Sequence, residues 1–188
     1  MSFKHKIKVE YILLSVMIIF IAVLIPDIHS QTNYTPEFNL PVKNDSIVPD
    51  SVKTSIHRTF VIDSVITFGK KFLGLRYKYG GTTPQGFDCS GYVSYLFHKF
   101  GYKLPHSSSE MSTVGQKIDI KQAQPGDLIC FKGRSTKSSR VGHVALIIQA
   151  DSGQITMMHS CQRGVLIEKY NQSDYYKRRY LMCRRVSL

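Results

Sequence analysis

The pattern of hydrophobic and polar positions changes character several times along this chain of 188 residues. An apolar run, interrupted only by Ser15, extends from Tyr11 to Ile25, with three lysines before it and a proline directly after it. A basic end followed by about 15 apolar residues is typical of a secretory signal, whereas a membrane span needs about 20. We therefore expect residues 1–30 to be a signal peptide. An N-terminal membrane anchor is the alternative, because the residues up to Ser30 do not complete a small-x-small cleavage site.

The next segment is polar and gives way to helical periodicity. Residues 31–57 contain three prolines among Asn, Thr, Ser and Asp, which indicates a linker or loosely held arm. From about Thr59, apolar residues recur at helical spacing and predict an amphipathic helix that can stop at Gly74. Its apolar positions are Phe60, Ile62, Val65, Ile66 and Phe72. A second helix is predicted from Cys89 to Phe100, ending before Gly101.

Beyond Gln124 the periodicity becomes that of short strands. Five β-rich runs are separated by Gly, Ser and Asp turns. They are Leu128–Phe131, His143–Gln149, Gln154–His159, Val165–Tyr170 and Tyr180–Val186. Helices followed by strands predict one α+β domain over residues 58–188, with an antiparallel sheet.

Composition supports a single folded domain with a basic surface. The hydrophobic fraction is 43%, the charged fraction is 20%, and the formal net charge is +12. This surplus favours anionic partners such as wall polymers, anionic lipid or nucleic acid. We expect no nucleic-acid partner, because the sequence has no groove-binding helix pattern, zinc finger or aromatic strand signature. It also has no metal-ligand spacing and no phosphate-binding glycine loop, so no cofactor is expected.

Cys89 is the candidate nucleophile. It follows a loop rich in glycine and proline and opens the second predicted helix. Free N–H groups and the helix macrodipole stabilise a thiolate at such a position. Asp88 lies where an N-cap residue belongs. A small buried cysteine that packs the start of a helix is the structural alternative.

Two histidines on consecutive predicted strands are the candidate base and its orienting partner. A turn centred on Asp151 would place His143 directly opposite His159, with both on one face. Four apolar residues would share that face: Ala145, Ile147, Ile155 and Met157. His159 would then bond one nitrogen of His143 and leave the other for the thiol. A two-residue turn at Ser152 and Gly153 would shift this register.

Five short motifs together resemble the NlpC-type cell-wall cysteine peptidases, over roughly residues 58–186. The motifs are Gly74–Gly81, Phe87–Val93, Pro125–Leu128, Gly142–Ala145 and Met158–Ser160. The resemblance implies a circularly permuted papain-like fold.

The resemblance also implies a catalytic role for four residues. Cys89 attacks an amide carbonyl, and His143 takes its proton and later protonates the leaving amine. His159 orients His143, as the third member of a Cys-His-His triad. The Tyr77 hydroxyl and the backbone N–H of Cys89 stabilise the oxyanion.

The family pattern further implies that Tyr77, Asp88 and Ser90 hold a free amino group of the substrate. Two features depart from the pattern and affect substrate preference. His106 stands where the family often has Arg, and the loop of residues 132–140 is long and basic.

The leading interpretation is a cysteine endopeptidase that cuts peptidoglycan stem peptides. The bond would be γ-D-glutamyl–diamino acid or the D-Ala–diamino acid cross-link. The alternatives are an amidase or transferase with the same triad, and a non-catalytic wall-binding module. We expect an exported monomer in the periplasm or cell envelope, with free thiols at Cys130, Cys161 and Cys183, although two of these can pair in an oxidising compartment.

Overall fold

Helix α1 runs from Asp50 to Lys70, and helix α2 from Cys89 to His98. The computed structural model describes residues 49–188, so the predicted signal segment and most of the predicted arm lie outside the described residues. The start of α2 is confirmed. The predicted start of α1 near Thr59 is wrong, and residues 50–57 belong to the helix rather than to an arm.

The first two turns of α1 escaped prediction because they are exposed to solvent and polar residues outnumber the two apolar ones, Val52 and Ile56, which are themselves exposed. The buried face begins only at Val61 and continues through Val65 to Gly69. Phe60 does not belong to that face, since 54% of its surface is exposed. Apolar periodicity therefore detected the packed part of α1 and not its whole length.

Six antiparallel strands form the main sheet in the order β3-β8-β4-β5-β6-β7. The strands are β3 (Gln116–Ile118), β4 (Leu128–Lys132), β5 (Val141–Asp151), β6 (Gln154–Cys161), β7 (Gly164–Lys169) and β8 (Tyr180–Arg185). All five predicted strands are confirmed, and so is the α+β, papain-like fold. Strand β3 was missed because it is short and mostly exposed.

The described part of the chain also has several small elements, including two 3-10 turns at Ile120–Gln122 and Tyr170–Gln172. A two-stranded hairpin, β1 (Thr82–Thr83) and β2 (Gly86–Phe87), precedes α2. Two one-turn helices follow later, α3 (Ser108–Met111) and α4 (Asp174–Lys177). Among the described residues, no helix combines the length and apolar composition that a membrane crossing requires.

The sheet has an apolar layer on each face. Helices α1 and α2 pack on one face, where Val65, Leu96 and Leu146 are fully buried. The other face carries a smaller cluster that includes Phe131 and Tyr176. Ala145, Ile147, Ile155 and Met157 all belong to this second cluster, so the predicted shared face is confirmed.

The predicted register between β5 and β6 is wrong. Asp151 pairs with Gln154, so the turn consists of Ser152 and Gly153. Both turn residues have positive φ, 48° and 78°, as the tightest hairpin turns with right-handed strand twist require.

A β-bulge in β5 restores the shared face of His143 and His159, which the two-residue turn alone would not produce. Ile147 pairs with Met157, whereas Gln149 pairs with Thr156, so Ile148 is an extra residue on β5. Without the bulge, the two-residue turn would place His143 and His159 on opposite faces, because side chains alternate along a strand. The bulge shifts the register by one residue and returns both to the same face.

Candidate active site

The start of α2 is held by the side chain of Asp88. Its Oδ1 accepts a hydrogen bond from the Gly91 N–H at 2.6 Å, and its Oδ2 accepts from the Gly80 N–H at 3.0 Å. The predicted capping role is therefore confirmed. Position 91 must be glycine, because a Cβ there would lie 2.0 Å from the carbonyl oxygen of Gly81. Cys89 is thus the first helical residue on a tightly fixed turn.

A buried hydrogen bond fixes this turn to the sheet. The Ser160 hydroxyl donates to the carbonyl of Phe87 at 2.8 Å. Ser160 follows His159 in β6, and Phe87 lies two residues before Cys89. The strand of the third predicted triad residue is thereby locked to the loop of the predicted nucleophile.

The thiol of Cys89 is buried and lies beside β5. Burial raises its pKa above the ordinary value, and the nearby Asp88 acts in the same direction. The nearby backbone N–H groups of Val144, Ser90 and Cys89 itself lower the pKa without compensating fully. The backbone N–H groups at the start of the helix favour the thiolate, but desolvation of the buried sulfur outweighs them. The resting thiol is protonated at neutral pH and needs a base.

This protonation state predicts the pH dependence of alkylation. The rate of Cys89 modification by iodoacetamide should rise about tenfold per pH unit between about pH 6 and pH 8, because only the thiolate reacts and its fraction grows with pH below the pKa. Peptide mapping separates Cys89 from Cys161, and from the two deeply buried thiols of Cys130 and Cys183. A rate independent of pH over this range would indicate a preformed thiolate and contradict the assignment.

All four cysteines of the chain lie among the described residues and have free thiols. Burial raises the pKa values of Cys130 and Cys183 to about 12. Both are therefore inert at neutral pH, which leaves Cys89 and the partly exposed Cys161 as the thiols open to reagents.

The two predicted histidines are in direct contact. Nε2 of His143 lies 3.0 Å from Nδ1 of His159, and the rings meet edge to face with centroids 5.0 Å apart. Burial lowers the pKa of His143 to about 3, and the neighbouring His159 acts in the same direction. The His143 imidazole is therefore neutral at physiological pH and can accept a proton through Nδ1, the nitrogen not bonded to His159.

Aromatic rings fix the orientation of this pair. Phe131 is the residue opposite His143 on β4, with ring centroids 5.9 Å apart. Tyr176 stacks on His143 at 5.9 Å and meets His159 edge to face at 5.4 Å. Neither aromatic residue was selected from the sequence, where both fit an ordinary core position.

Glu168 is a further residue that the sequence analysis missed. Its Oε2 lies 2.8 Å from Nε2 of His159, and its Oε1 accepts from Arg163 at 2.6 Å. The hydrogen bond from His159, more than that from Arg163, lowers the pKa of Glu168 to about 2. In the observed β6–β7 register His159 opposes Leu166, so Glu168 lies two residues along on the same face. Glu168 is identified as a neighbour of His159 by the register of β6 and β7, and not by a sequence motif.

Tyr77 is partly buried near the predicted nucleophile. Burial raises the pKa of its hydroxyl, and the negative charges of ionised Cys89 and Asp88 add to the effect, whereas Arg134 opposes it. The hydroxyl therefore stays protonated and can donate a hydrogen bond. Arg134 belongs to the long basic loop, so that loop lies near Tyr77.

Ser90 is turned toward the protein. It is 4% exposed, and its hydroxyl lies 3.1 Å from Asp88 Oδ1 and 2.9 Å from the carbonyl oxygen of His106. Its one proton serves these two internal acceptors. The predicted contact of Ser90 with substrate stays a prediction, and so does that of Asp88, whose oxygens already accept backbone hydrogen bonds.

The chain matches the model of the NlpC/P60 family over residues 74–185. It is 36% identical over 125 residues to the Gamma-DL-glutamyl hydrolase of Bacillus subtilis, covering 65% of this chain and 29% of that protein. It is 39% identical over 126 residues to the Gamma-D-glutamyl-L-lysine dipeptidyl-peptidase of Bacillus cereus, covering 63% and 36%. The match to Murein DD-endopeptidase MepS/Murein LD-carboxypeptidase of Escherichia coli has 37% identity over 115 residues and covers 60% and 56%.

The chain also superposes on solved structures of NlpC/P60 domains. An NlpC/P60 family protein from Bacillus cereus superposes with a TM-score of 0.59 at 36% identity, covering 66% of this chain and 39% of that one. RipD from Mycobacterium tuberculosis, a non-catalytic NlpC/p60 domain protein adapted to peptidoglycan binding, has a TM-score of 0.54 at 27% identity and covers 68% and 98%. The chain spans less than two thirds of the length of the three sequence relatives named above.

Proposed function

Because the chain belongs to the NlpC/P60 family, we propose that it is a cysteine endopeptidase that hydrolyses amide bonds in peptidoglycan stem peptides. The observation that carries this proposal is the juxtaposition at the start of β5. There the backbone N–H of Val144 lies close enough to the helix-capped thiol to lower its pKa, and the residue before Val144 is a neutral imidazole that a second imidazole holds. A protonated thiol needs a general base to attack a carbonyl, and His143 is the proposed base.

The proposed reaction runs through a thioester. The sulfur of Cys89 attacks the amide carbonyl while Nδ1 of His143 takes the thiol proton. The Cys89 N–H and the Tyr77 hydroxyl donate to the oxygen on which charge develops. Collapse breaks the C–N bond, and His143 protonates the departing amine. Water then attacks the thioester with His143 again as base, which releases the carboxylate and restores the thiol.

The names of the relatives support two classes of bond. One relative is a γ-D-glutamyl-L-lysine dipeptidyl-peptidase and another a DD-endopeptidase and LD-carboxypeptidase. The substrate bond here is therefore γ-D-glutamyl–diamino acid or the D-Ala–diamino acid cross-link. Tyr77, Asp88 and Ser90 lie together beside Cys89 and are proposed to receive a free amino group. An amidase or transferase would use the same triad on a different bond.

The proposed location follows from the substrate. Peptidoglycan lies outside the cytoplasmic membrane, so the enzyme acts in the periplasm or cell envelope after export through residues 1–30. Helix α1 begins at Asp50. We therefore move the proposed start of the peptidase domain from residue 58 to residue 50, which shortens the connecting arm. The enzyme is proposed to act as a monomer.

A second candidate function is binding to the wall without cleavage. The non-catalytic RipD has the same fold, and the net charge of +12 favours anionic wall polymers. Incubation of the protein with purified sacculi separates the two functions. Soluble peptides with new amino groups are expected from an enzyme. Co-sedimentation at low salt that disappears at about 0.5 M NaCl, without released peptides, would instead establish the binding module.

Replacement of Tyr77 by phenylalanine should lower kcat by about 10²-fold to 10³-fold with little change in KM, because an oxyanion donor acts mainly in the transition state. The matched control is Tyr79→Phe. Tyr79 is 90% exposed, and its hydroxyl should be dispensable. Steady-state kinetics on a defined stem peptide give both constants. Equal kcat values for the two variants would remove Tyr77 from the oxyanion site.

A further inference from the structure

Three hydrogen bonds connect the predicted base to the surface of the protein. Nε2 of His143 meets Nδ1 of His159 at 3.0 Å, and Nε2 of His159 meets Oε2 of Glu168 at 2.8 Å. Arg163 closes the chain by donating to Oε1 of Glu168 at 2.6 Å. The successive hydrogen bonds use different atoms of His159 and of Glu168. Whether one atom donates or accepts therefore determines the role of the next atom in the series.

The chemistry of these groups fixes the position of each proton. An ionised carboxylate only accepts hydrogen bonds, so Nε2 of His159 must be the donor. In its neutral form, His159 carries one N–H, so its Nδ1 is left as an acceptor. Nε2 of His143 must then carry the proton that this acceptor receives. His143 is left with a lone pair on Nδ1, the form that a base needs.

We propose that Glu168, held by Arg163, is a positioning residue that sets the tautomers of both imidazoles and thereby leaves Nδ1 of His143 unprotonated. This inference rests on the proposed function and adds a residue to it. Glu168 acts through His159 and does not itself contact the reacting atoms.

Burial and charge distinguish this arrangement from an ordinary surface ion pair. The Arg163–Glu168 pair alone would contribute little, since the Arg163 side chain is 63% exposed. The other partner of Glu168 is different, because His159 is fully buried. The low pKa of Glu168 keeps the carboxylate ionised, and its charge favours the imidazolium that forms on His143 during attack.

Arg163 makes the inference testable by a single substitution. In Glu168→Gln, an NH₂ group facing Arg163 would set donor against donor, whereas His159 can meet either end of the amide by changing its tautomer. The amide oxygen therefore stays with Arg163, and the NH₂ group turns to His159. His159 must then accept at Nε2 and donate from Nδ1, which inverts both tautomers. The double variant Glu168→Gln with Arg163→Met frees the amide to turn its oxygen to His159.

The experiment is ¹⁵N NMR of histidine-labelled full-length protein at neutral pH, combined with steady-state kinetics. We expect the Nε2–H tautomer for His143 and His159 in the wild type, and the inverted tautomers in Glu168→Gln. That variant should lose about 10-fold to 100-fold in kcat at unchanged KM, by analogy with the hydrogen-bond partners that orient metal-binding histidines. Added Arg163→Met should restore most of the activity. Glu110→Gln, an exposed glutamate on α3, is the control and should match the wild type.

The outcomes separate the inference from the proposed function. An Nδ1–H or doubly protonated His159 in the wild type, or unchanged tautomers in Glu168→Gln, would overturn the role of Glu168 even in an enzyme that cleaves its substrate. Predicted tautomers in a wild type that cleaves no stem peptide would overturn the proposed function and leave the tautomer assignment intact.

Discussion

Replacement of Cys89 by alanine is expected to lower the turnover of stem peptides by about 10⁴-fold or more, because the variant has no group to form the thioester. The fold should be retained. Asp88 keeps its capping hydrogen bonds to the backbone of Gly91 and Gly80, which do not involve the thiol. Initial rates of amine release give the turnover, and circular dichroism during heating checks that the variant unfolds as the wild type does.

The matched control is Cys161→Ala. Cys161 is a free thiol that is partly exposed and that follows the predicted third triad residue by two positions. This variant should keep its turnover within about twofold of the wild type. Residual activity of Cys89→Ala above about one per cent, or an equal loss in Cys161→Ala, would exclude Cys89 as the nucleophile.

The second large effect concerns stability and is centred on Asp127. This carboxylate is fully buried at the start of β4. Its Oδ1 accepts from Arg58 at 3.1 Å, and its two oxygens accept from Arg185 at 3.0 and 2.8 Å. The backbone N–H of Gln124 adds a further hydrogen bond at 2.7 Å. The cluster joins helix α1 to the C-terminal strand β8.

Asp127→Ala should reduce the free energy of unfolding by about 3–5 kcal/mol, because it leaves two partly buried guanidinium groups without a counter-charge. Burial already lowers the pKa of Arg58, and Arg185 adds to this, while Asp127 opposes both. Urea denaturation followed by circular dichroism measures the change. The control is Asp174→Ala, since Asp174 is exposed and pairs with the exposed Lys177 one turn away. Coincident denaturation curves for Asp127→Ala and the wild type would refute the role of this cluster.

Helices and strands are predicted best where one face is buried, because a buried face requires apolar residues at a regular spacing along the sequence. The five longer strands of the main sheet were all recognised, whereas the two-residue strands of the hairpin before α2 were too short to show a period. Helix α2 was placed because Cys89 follows a glycine-rich loop with an N-cap residue. The first turns of α1 were read as an arm, because exposed Ser, Thr and Lys residues are equally common in linkers. Their helical state depends on continuity with the packed turns that begin at Val61.

The geometry of the site depends on events that no short motif encodes. His143 and His159 meet, but through a two-residue turn and a bulge at Ile148 rather than through the simple pairing that the sequence suggested. The two-residue turn alone would place the two histidines on opposite faces of the sheet, and the bulge shifts the register by one residue and returns them to the same face. Glu168 became visible only with the β6–β7 register, and the raised pKa of the Cys89 thiol only with its burial. Residue types were therefore predictable, whereas their mutual distances and protonation states were not.

The proposed role of every site residue depends on Cys89 cutting an amide bond inside the stem peptide. Mass spectrometry of purified muropeptides, incubated with the wild type and with Cys89→Ala, tests it most directly. The wild type alone should yield fragments with a new amino group on the diamino acid and a new carboxylate on D-Glu or D-Ala. Unchanged muropeptides after incubation with the wild type, cleavage by both proteins, or a cut between the sugar lactoyl group and the peptide would contradict this role of Cys89.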